Sequence, residues 1–356
     1  MDSQQLVQRI KTGQLNEGLN LSGVSFQGDD LQGGLFQNVD FSDCDFKRVK
    51  LSDGNFVKCD FSNADFSESE IHKAIIADCN FSQTKFQRSS LKLSSFVNCD
   101  FSQANFDSAD LEQANFSDAN MQQASFIETN LKQTNLVKAD MQSANLSQAI
   151  LELTNVIQVN LKGVVLRNAR VEQCVFQEPD LTGQDLSGMN LSKTQFREAL
   201  MSDCKLNNCD LTQTSFTGAD LRNATFDNAI ANNASFMGSI MLNTSLKNTQ
   251  LQQANFNESD LTDAILIGAN MVQAQLCGTV CERAILSSAD LSYADLSHAN
   301  LKDCDLTNAS LLQAKLHEIL EDNTLWSGST RNLAQGMDKK RLKAERWVPK
   351  PRSGEI

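Results

Sequence analysis

No run of apolar residues approaches the roughly 18 that a membrane-spanning helix needs, and the N-terminus MDSQQLVQRIKTG has no apolar signal-peptide core. A cytoplasmic protein with no membrane partner is expected. Basic residues are outnumbered, 31 Lys and Arg against 44 Asp and Glu, and a net charge of −13 argues against direct binding to a nucleic acid backbone. Histidine is scarce: His72, His298 and His317 all fall at outward slots of the repeat described below, and no nucleophile or acidic cluster of a recognised motif accompanies them. There is no P-loop, no dinucleotide-binding glycine pattern after a strand, and no Cys/His spacing suited to zinc. The usual footholds of catalysis are missing. Neither an enzyme nor a cofactor or metal site is expected.

What the chain does contain is a rule of five. In ANFDSADLEQANFSDANMQQASF, from Ala104 to Phe126, a large apolar residue recurs at every fifth place, a small one stands two places before it, and the other three are polar. Five matches neither the 3.6 of a helix nor the 2 of a continuous strand. It suits a short extended piece followed by a turn that aims the next piece, so the chain must coil. From Leu21 to Leu316 the large position recurs without one insertion or deletion, and only Ala231 and Cys281 there are not Leu, Phe, Met, Ile or Val. A one-residue slip would turn the inward set outward, so unbroken phase leaves no interrupting loops in which a site could hide. Of the ten cysteines, eight (Cys44, Cys59, Cys79, Cys99, Cys174, Cys204, Cys209 and Cys304) occupy the small position and read as core thiols.

Sorting the inward residues by a period of twenty gives four columns. All twenty Phe lie on the register, yet the column Leu31, Leu51, Ile71, Leu91 up to Leu311 holds none of them. Sorting by fifteen scatters Phe through every column, so the coil has four sides. About fifteen coils at a strand spacing of ~4.8 Å would give a rod of roughly 70 Å.

The units ANFDS, ADLEQ, ANFSD, ADLRN, ADLSY, ADLSH and ANLKD match A(D/N)LXX, and the chain resembles the pentapeptide-repeat family over about five-sixths of its length. The resemblance implies an all-β fold, a right-handed quadrilateral β-helix. It also implies a non-enzymatic protein-binding role. One form is a stiff adaptor, similar to accessory or effector-loading parts of bacterial type VI secretion spikes. The other is an acidic DNA mimic that binds DNA gyrase and protects or inhibits it. Family members of the second kind typically end in a compact apolar dimerisation module, whereas this chain ends in a basic, proline-containing tail.

Four segments follow. Residues 1–18 precede the repeat and predict a helical cap, with Asp2 or Ser3 as N-cap, Leu6 and Ile10 on one face and Gly13 as stop. Residues 19–178 and 179–316 form two solenoid segments. At their junction the small positions hold Pro179, Gln184 and Met189, which predicts a kink or a widened coil. Residues 317–356 form a C-terminal cap, closed by Leu320, Leu325 and Trp326, and a tail. From Met337 on, seven basic and three acidic residues suit either a short helix folded back on the acidic rod or a disordered basic arm.

Two surface features are candidates for a protein partner; the oligomeric state is left open. Asp40, Asp60, Asp100, Asp140, Asp180, Asp220 and Asp260 run down one edge at a period of twenty or its multiples. Apolar residues crowd outward slots of the later coils: Ile230, Ile240, Leu242, Ile265, Ile267, Val272, Val280 and Ile285, with Trp347 beyond the repeat. Inside, Phe226 sits in a column that is Leu at 206 and 246, beside the small Ala231. The pairing predicts that one ring fills the volume its neighbour leaves.

Overall fold

A computed structural model describes residues 3–347. Helix α1, Ser3–Lys11, buries Leu6, rests Ile10 against the core, and ends where Gly13, at φ +69°, donates its N–H to the Ile10 carbonyl at 2.8 Å. Coiling starts at once, with the strand Leu15–Glu17. The register therefore reaches back to Asn16, which is buried in an inward position and donates to the carbonyls of Gln14 and Leu35. Helix α1 closes that end.

Each residue pairs with the one twenty places on. On one side, ten three-residue strands from Leu15–Glu17 to Gln195–Arg197 form a single parallel sheet in sequence order. The other three sides are joined by single parallel bridges at the same spacing, such as Asn20 to Asp40, Ser25 to Asp45 and Asp30 to Lys50. This is a four-sided β-solenoid. The inward residues of its first side include Leu21 and Phe41, of its second Phe26 and Phe46, of its third Leu31 and Leu51, and of its fourth, the sheet, Phe36 and Phe56.

The backbone hydrogen bonds explain the unit of five. Around Phe41, the Phe41 N–H donates to Asp60 (2.7 Å), Asp43 N–H to Ser62 (2.9 Å), Cys44 N–H back to Phe41 (3.3 Å) and Asp45 N–H to Val24 (3.2 Å). The fifth donor, Ser42 N–H, goes to the carboxylate of Asp40 at 3.0 Å. Every N–H of the unit has an acceptor, as buried or crowded backbone requires. The residue two places after each inward one turns the corner in the left-handed conformation. This holds at every fifth residue from Gly13 to Gly328, with φ from 49° to 74°. That conformation is strained for residues with a Cβ, and among the described residues a ladder bond from the same residue holds it there at all these corners except Gly13, Gly163, Asn168, Glu318, Asn323 and Gly328.

The core is a set of stacked columns. Phe26, Phe46, Phe66, Phe86, Phe106 and Phe126 stack with ring centroids 4.6–5.2 Å apart, and Phe41, Phe61, Phe81 and Phe101 at 4.7–5.0 Å. Such offset contacts add to area burial in water-free surroundings. Small positions do more than leave room: Thr84 donates its hydroxyl to the Phe61 carbonyl at 2.9 Å, and Cys44 its thiol to Leu21 at 3.0 Å, each twenty-three residues back. Cysteine serves here as a small buried donor. All ten cysteines are free, and burial pushes the thiols of Cys44 and Cys209 up to about 11 and those of Cys99, Cys204 and Cys304 up to about 12.

Near Pro179 the stack opens. The sheet continues through Val156, Phe176 and Phe196, but the bridges from Val165 to Asp185 and from Arg170 to Asn190, due at the spacing of twenty, are missing among the described residues. Gln184 shows the cause. It stands where a Thr or Cys would reach the carbonyl twenty-three residues back, and its longer amide meets that carbonyl, of Leu161, at 3.4 Å. Met189, in the next small position, offers no donor and packs only partly buried against the core. The coil is widened on the second and third sides while the fourth stays closed.

At the far end the coil runs past Leu316, with Lys315 still bridged to Gln335. Trp326 takes an inward position, partly buried, with the Arg331 guanidinium 4.5 Å above its ring. Leu320 and Leu325, expected to help close the coil, fall one place before inward positions and are exposed. Helix α2, Lys339–Glu345, is capped by Asp338, whose carboxylate accepts from Lys340 and Arg341 N–H. Of the two readings of the tail, the helix is the one seen for these residues; residues 348–356 lie outside those described.

Phe226 and Ala231 are both fully buried, and the Phe226 ring meets Phe216 and Phe236 edge-on at 5.8 Å. Phe226→Ala should lower stability by roughly 3–5 kcal/mol through the cavity it opens. Adding Ala231→Leu should restore part of the loss in a denaturant melt; a double variant no more stable than Phe226→Ala would show that the two side chains do not share the space.

Candidate protein-binding surfaces

Outward side chains come from the positions just before and just after each inward residue, and the two differ in chemistry. The position before is where Asp and Asn prevail, because there a side-chain oxygen accepts the one N–H the ladder leaves over, closing an Asx turn. All seven residues of the acidic column do this. Asp40, Asp60, Asp100, Asp140, Asp180, Asp220 and Asp260 accept from the N–H two residues on at 2.9–3.2 Å. The interleaved asparagines tie the column together: Asn80 donates to Asp60, Asn120 to Asp100 and Asn160 to Asp140 at 2.9–3.0 Å. The column therefore closes turns first and presents charge second. Arg222, hydrogen-bonded to Asp220, holds that carboxyl below its usual range.

The apolar candidates do not form one patch. Ile240, Leu242 and Val280 lie on the first side, Ile265, Ile267 and Ile285 on the second, and Ile230 and Val272 on the third. Ile265 and Ile285 are bridged neighbours, whereas Ile240 and Val280 are separated by Asp260. Ile230, Ile240 and Ile267 are exposed, at 46%, 44% and 38%; the other five are half-buried. Together they form a band around three sides of the rod. Sequence reading grouped them by density along the chain and missed this spread, although their numbers modulo twenty carry it.

The fourth side is occupied near its end by helix α2. Glu345 accepts from His317 Nε2 at 3.1 Å, lies 3.3 Å from His298 Nε2, and accepts from Arg341 Nε at 2.6 Å. Arg341 Nη1 donates to Ser297 Oγ at 3.1 Å and Arg346 to Glu318 at 2.6 Å. His298 and His317 do meet across adjacent coils, with rings 5.3 Å apart, but His317 is not a solvated outward side chain: under the helix it is 2% exposed. The nitrogen and carboxylate atoms of His298, His317 and Glu345 lie within 4.8 Å of one another. The Asp338 N–H donates to His317 Nδ1, which leaves the ring proton on Nε2, facing Glu345. The three groups are thus spent on one another as hydrogen-bond partners, and His72 pairs with Ser90 Oγ at 2.7 Å. Trp347, just after the helix, is 70% exposed. No helix among the described residues is long and apolar enough to cross a membrane.

Family comparisons match this geometry. Pentapeptide repeats (8 copies) match in six stretches between residues 114 and 319, a pentapeptide repeat region matches 19–96, and pentapeptide repeats (9 copies) match 73–130. The chain belongs to the pentapeptide-repeat family. Among solved structures, trypsin-treated QnrB1, a plasmid-mediated fluoroquinolone resistance protein, is 21% identical over 51% of this chain and 89% of its own, with a TM-score of 0.43. The pentapeptide-repeat protein Rfr23 from the cyanobacterium Cyanothece 51142 is 36% identical over 26% of this chain and 64% of its own, with a TM-score of 0.25. HetL, a pentapeptide-repeat protein involved in heterocyst differentiation regulation in the cyanobacterium Nostoc sp. strain PCC 7120, is 22% identical over 87% of this chain and 96% of its own, with a TM-score of 0.18. No curated protein matches the chain.

The contacts of Glu345 predict an acid-sensitive dock. Hydrogen bonds from His317, then Arg341 and His298, pull its pKa below the ordinary glutamate range to about 2. A carboxyl whose folded pKa is depressed stabilises the docked pentapeptide-repeat rod above its unfolded pKa, and that contribution disappears as pH falls through the folded one. Helix α2 should therefore stay docked at neutral pH and release between about 4.5 and about 2, read from the amide chemical shifts of Ser297 and Leu342. In Glu345→Gln these shifts should already sit near the released values at pH 7, without that acid transition.

Proposed function

We propose that this pentapeptide-repeat protein is a non-enzymatic, cytoplasmic adaptor that binds a partner protein through the apolar band of its later coils. One observation carries the reading. Ile230, Ile240, Ile265, Val280 and Ile285 occupy the position where Asp or Asn would close the turn. The N–H groups of Asn232, Leu242, Ile267, Glu282 and Ser287 have no side-chain acceptor among the described residues, in contrast to the N–H of Thr262 beside Asp260 at 3.0 Å. The rod forgoes five local hydrogen bonds to place apolar surface on the three sides that helix α2 leaves bare. A desolvated apolar centre is what usually dominates a protein interface. Trp347 adds an exposed aromatic next to the fourth side.

An effector-loading part of a bacterial type VI secretion spike is one form such an adaptor takes; co-purification with a spike protein would mark it. The alternative, a gyrase-binding DNA mimic, draws on the seven-aspartate column. A supercoiling assay separates the two, since inhibition or drug protection at stoichiometric amounts belongs to the mimic alone.

The band is tested by the combined variant Ile240→Ser, Leu242→Ser, Ile265→Asp and Ile267→Ser. Substitutions at the exposed Ile240 and Ile267 shift stability by under about 0.5 kcal/mol each; the half-buried Leu242 and Ile265 lose some packing, which an aspartate at 265 partly offsets by closing the turn, so the melting temperature should stay within a few degrees. The variant should lose the partner that the natural chain retains from host extract. Undiminished capture by the folded variant would remove the band from the reading and turn attention to the aspartate column.

A further inference from the structure

The widened coil near Pro179 goes beyond that reading, because no residue of the apolar band lines it. A cleft of about 660 Å³ opens on the second side between Val164–Ala169 below and Gln184–Asn190 above. Its lips are two interrupted ladders. Elsewhere the N–H of an inward residue and that of its corner residue donate to the coil above, as Leu146 donates to Val165 (2.7 Å) and Gln148 to Arg167 (2.9 Å). Leu166 and Asn168 N–H have no such acceptor among the described residues. The carbonyls of Asp185 and Ser187, which would have received them, have no donor either. The Asp185 N–H and the Val164 carbonyl are parted in the same way. Below and above the cleft the bonding is intact, with Val165 N–H on Ala144 at 2.9 Å and Leu186 N–H on Lys205 at 2.8 Å.

Both lips therefore offer donors and acceptors in the alternation that one extended strand satisfies on its two edges. Behind them the partly buried Leu166 and Met189 and the buried Val164 form an apolar floor. At the mouth, Arg167 has no carboxylate partner among the described residues. One coil step away on other parts of the rod such a cation finds one: Lys92 pairs with Glu112 at 3.0 Å, and both residues directly follow inward ones.

We propose that this cleft is a docking slot for an extended segment of a partner protein, which enters as one missing side of a coil. Its chemistry follows from the lining. A large apolar residue points inward over Leu166, a small residue stands two places before it, and an acidic residue directly after it meets Arg167. The segment's carbonyls accept from Leu166 and Asn168, and its N–H groups donate to Asp185 and Ser187.

The test uses the full chain and the acetylated, amidated peptide Ser-Ala-Asn-Leu-Glu-Ser, read by hydrogen exchange. At ten times its dissociation constant the peptide should slow exchange about tenfold at Leu166, Asn168 and Asp185 and leave distant coils unchanged. The same peptide N-methylated at leucine, which lacks one of the bridging donors, should not protect them. Gln184→Thr combined with Met189→Ala should let the coils close, so that these amides are protected without peptide and the peptide no longer binds. Unchanged exchange with the first peptide, or equal protection by the N-methylated one, would overturn the proposal. Protection that grows with protein concentration in the absence of peptide would overturn it too, because the occupant would then be a second copy of the chain.

Discussion

Everything in this rod depends on one repeated constraint: a residue held in the left-handed conformation at every fifth position, with its N–H bonded to the coil above along most of the stack. That residue aims the chain around a corner, and four corners bring it back one strand spacing higher. The bond and the conformation support each other. A ladder donor at the corner makes the strained torsion worthwhile for Gln, Lys, Arg or Leu, where an isolated turn would call for Gly or Asn. Gly163 fits the same logic, since its N–H lacks a ladder bond among the described residues and glycine holds the torsion at φ +70° without strain.

The surfaces are what this economy leaves over. Two of five residues point inward, one turns, and the residue before each inward one closes the turn with a side-chain oxygen. Aspartate is thus common on the outside for a local reason, and asparagine dilutes it where like charges would otherwise face each other across one coil. Apolar residues in that position, such as Ile240 and Ile265, run against the rule, and so do Gln184 and Met189 in the small position. The departures share a form: each removes or lengthens a hydrogen bond that the regular repeat makes, as Gln184 reaches the Leu161 carbonyl only at 3.4 Å, and each leaves apolar or unpaired groups at the surface.

Much of this was legible in the chain. The period of five, the column at a spacing of twenty that holds no Phe, and Cys59, Cys79 and Cys99 repeating at that same spacing determine a four-sided solenoid, because inward side chains admit no other register. Pro179, Gln184 and Met189 mark the widened coil for the same steric reason. The left-handed corner was hidden, since its residue type is free wherever the ladder holds it, and Leu93, Lys138 and Tyr293 share no side-chain signal. The role of the aspartates was hidden too, because an acceptor for a nearby N–H and a charged edge have one composition. Docking of helix α2 on His298 and His317 depends on contacts 28 and 47 residues apart, which no local pattern reports.

Removing residues 101–120 in one piece tests the constraint most directly. The deletion takes out one full turn, four large aromatic or aliphatic inward residues among them, yet keeps every remaining column, corner and ladder in phase. If the twenty-residue register governs the fold, thermal unfolding of the shortened chain should remain a single transition within about 5 °C of the natural one. Loss of that transition would contradict it, showing that particular contacts of the deleted coil, and not the register, hold the rod together.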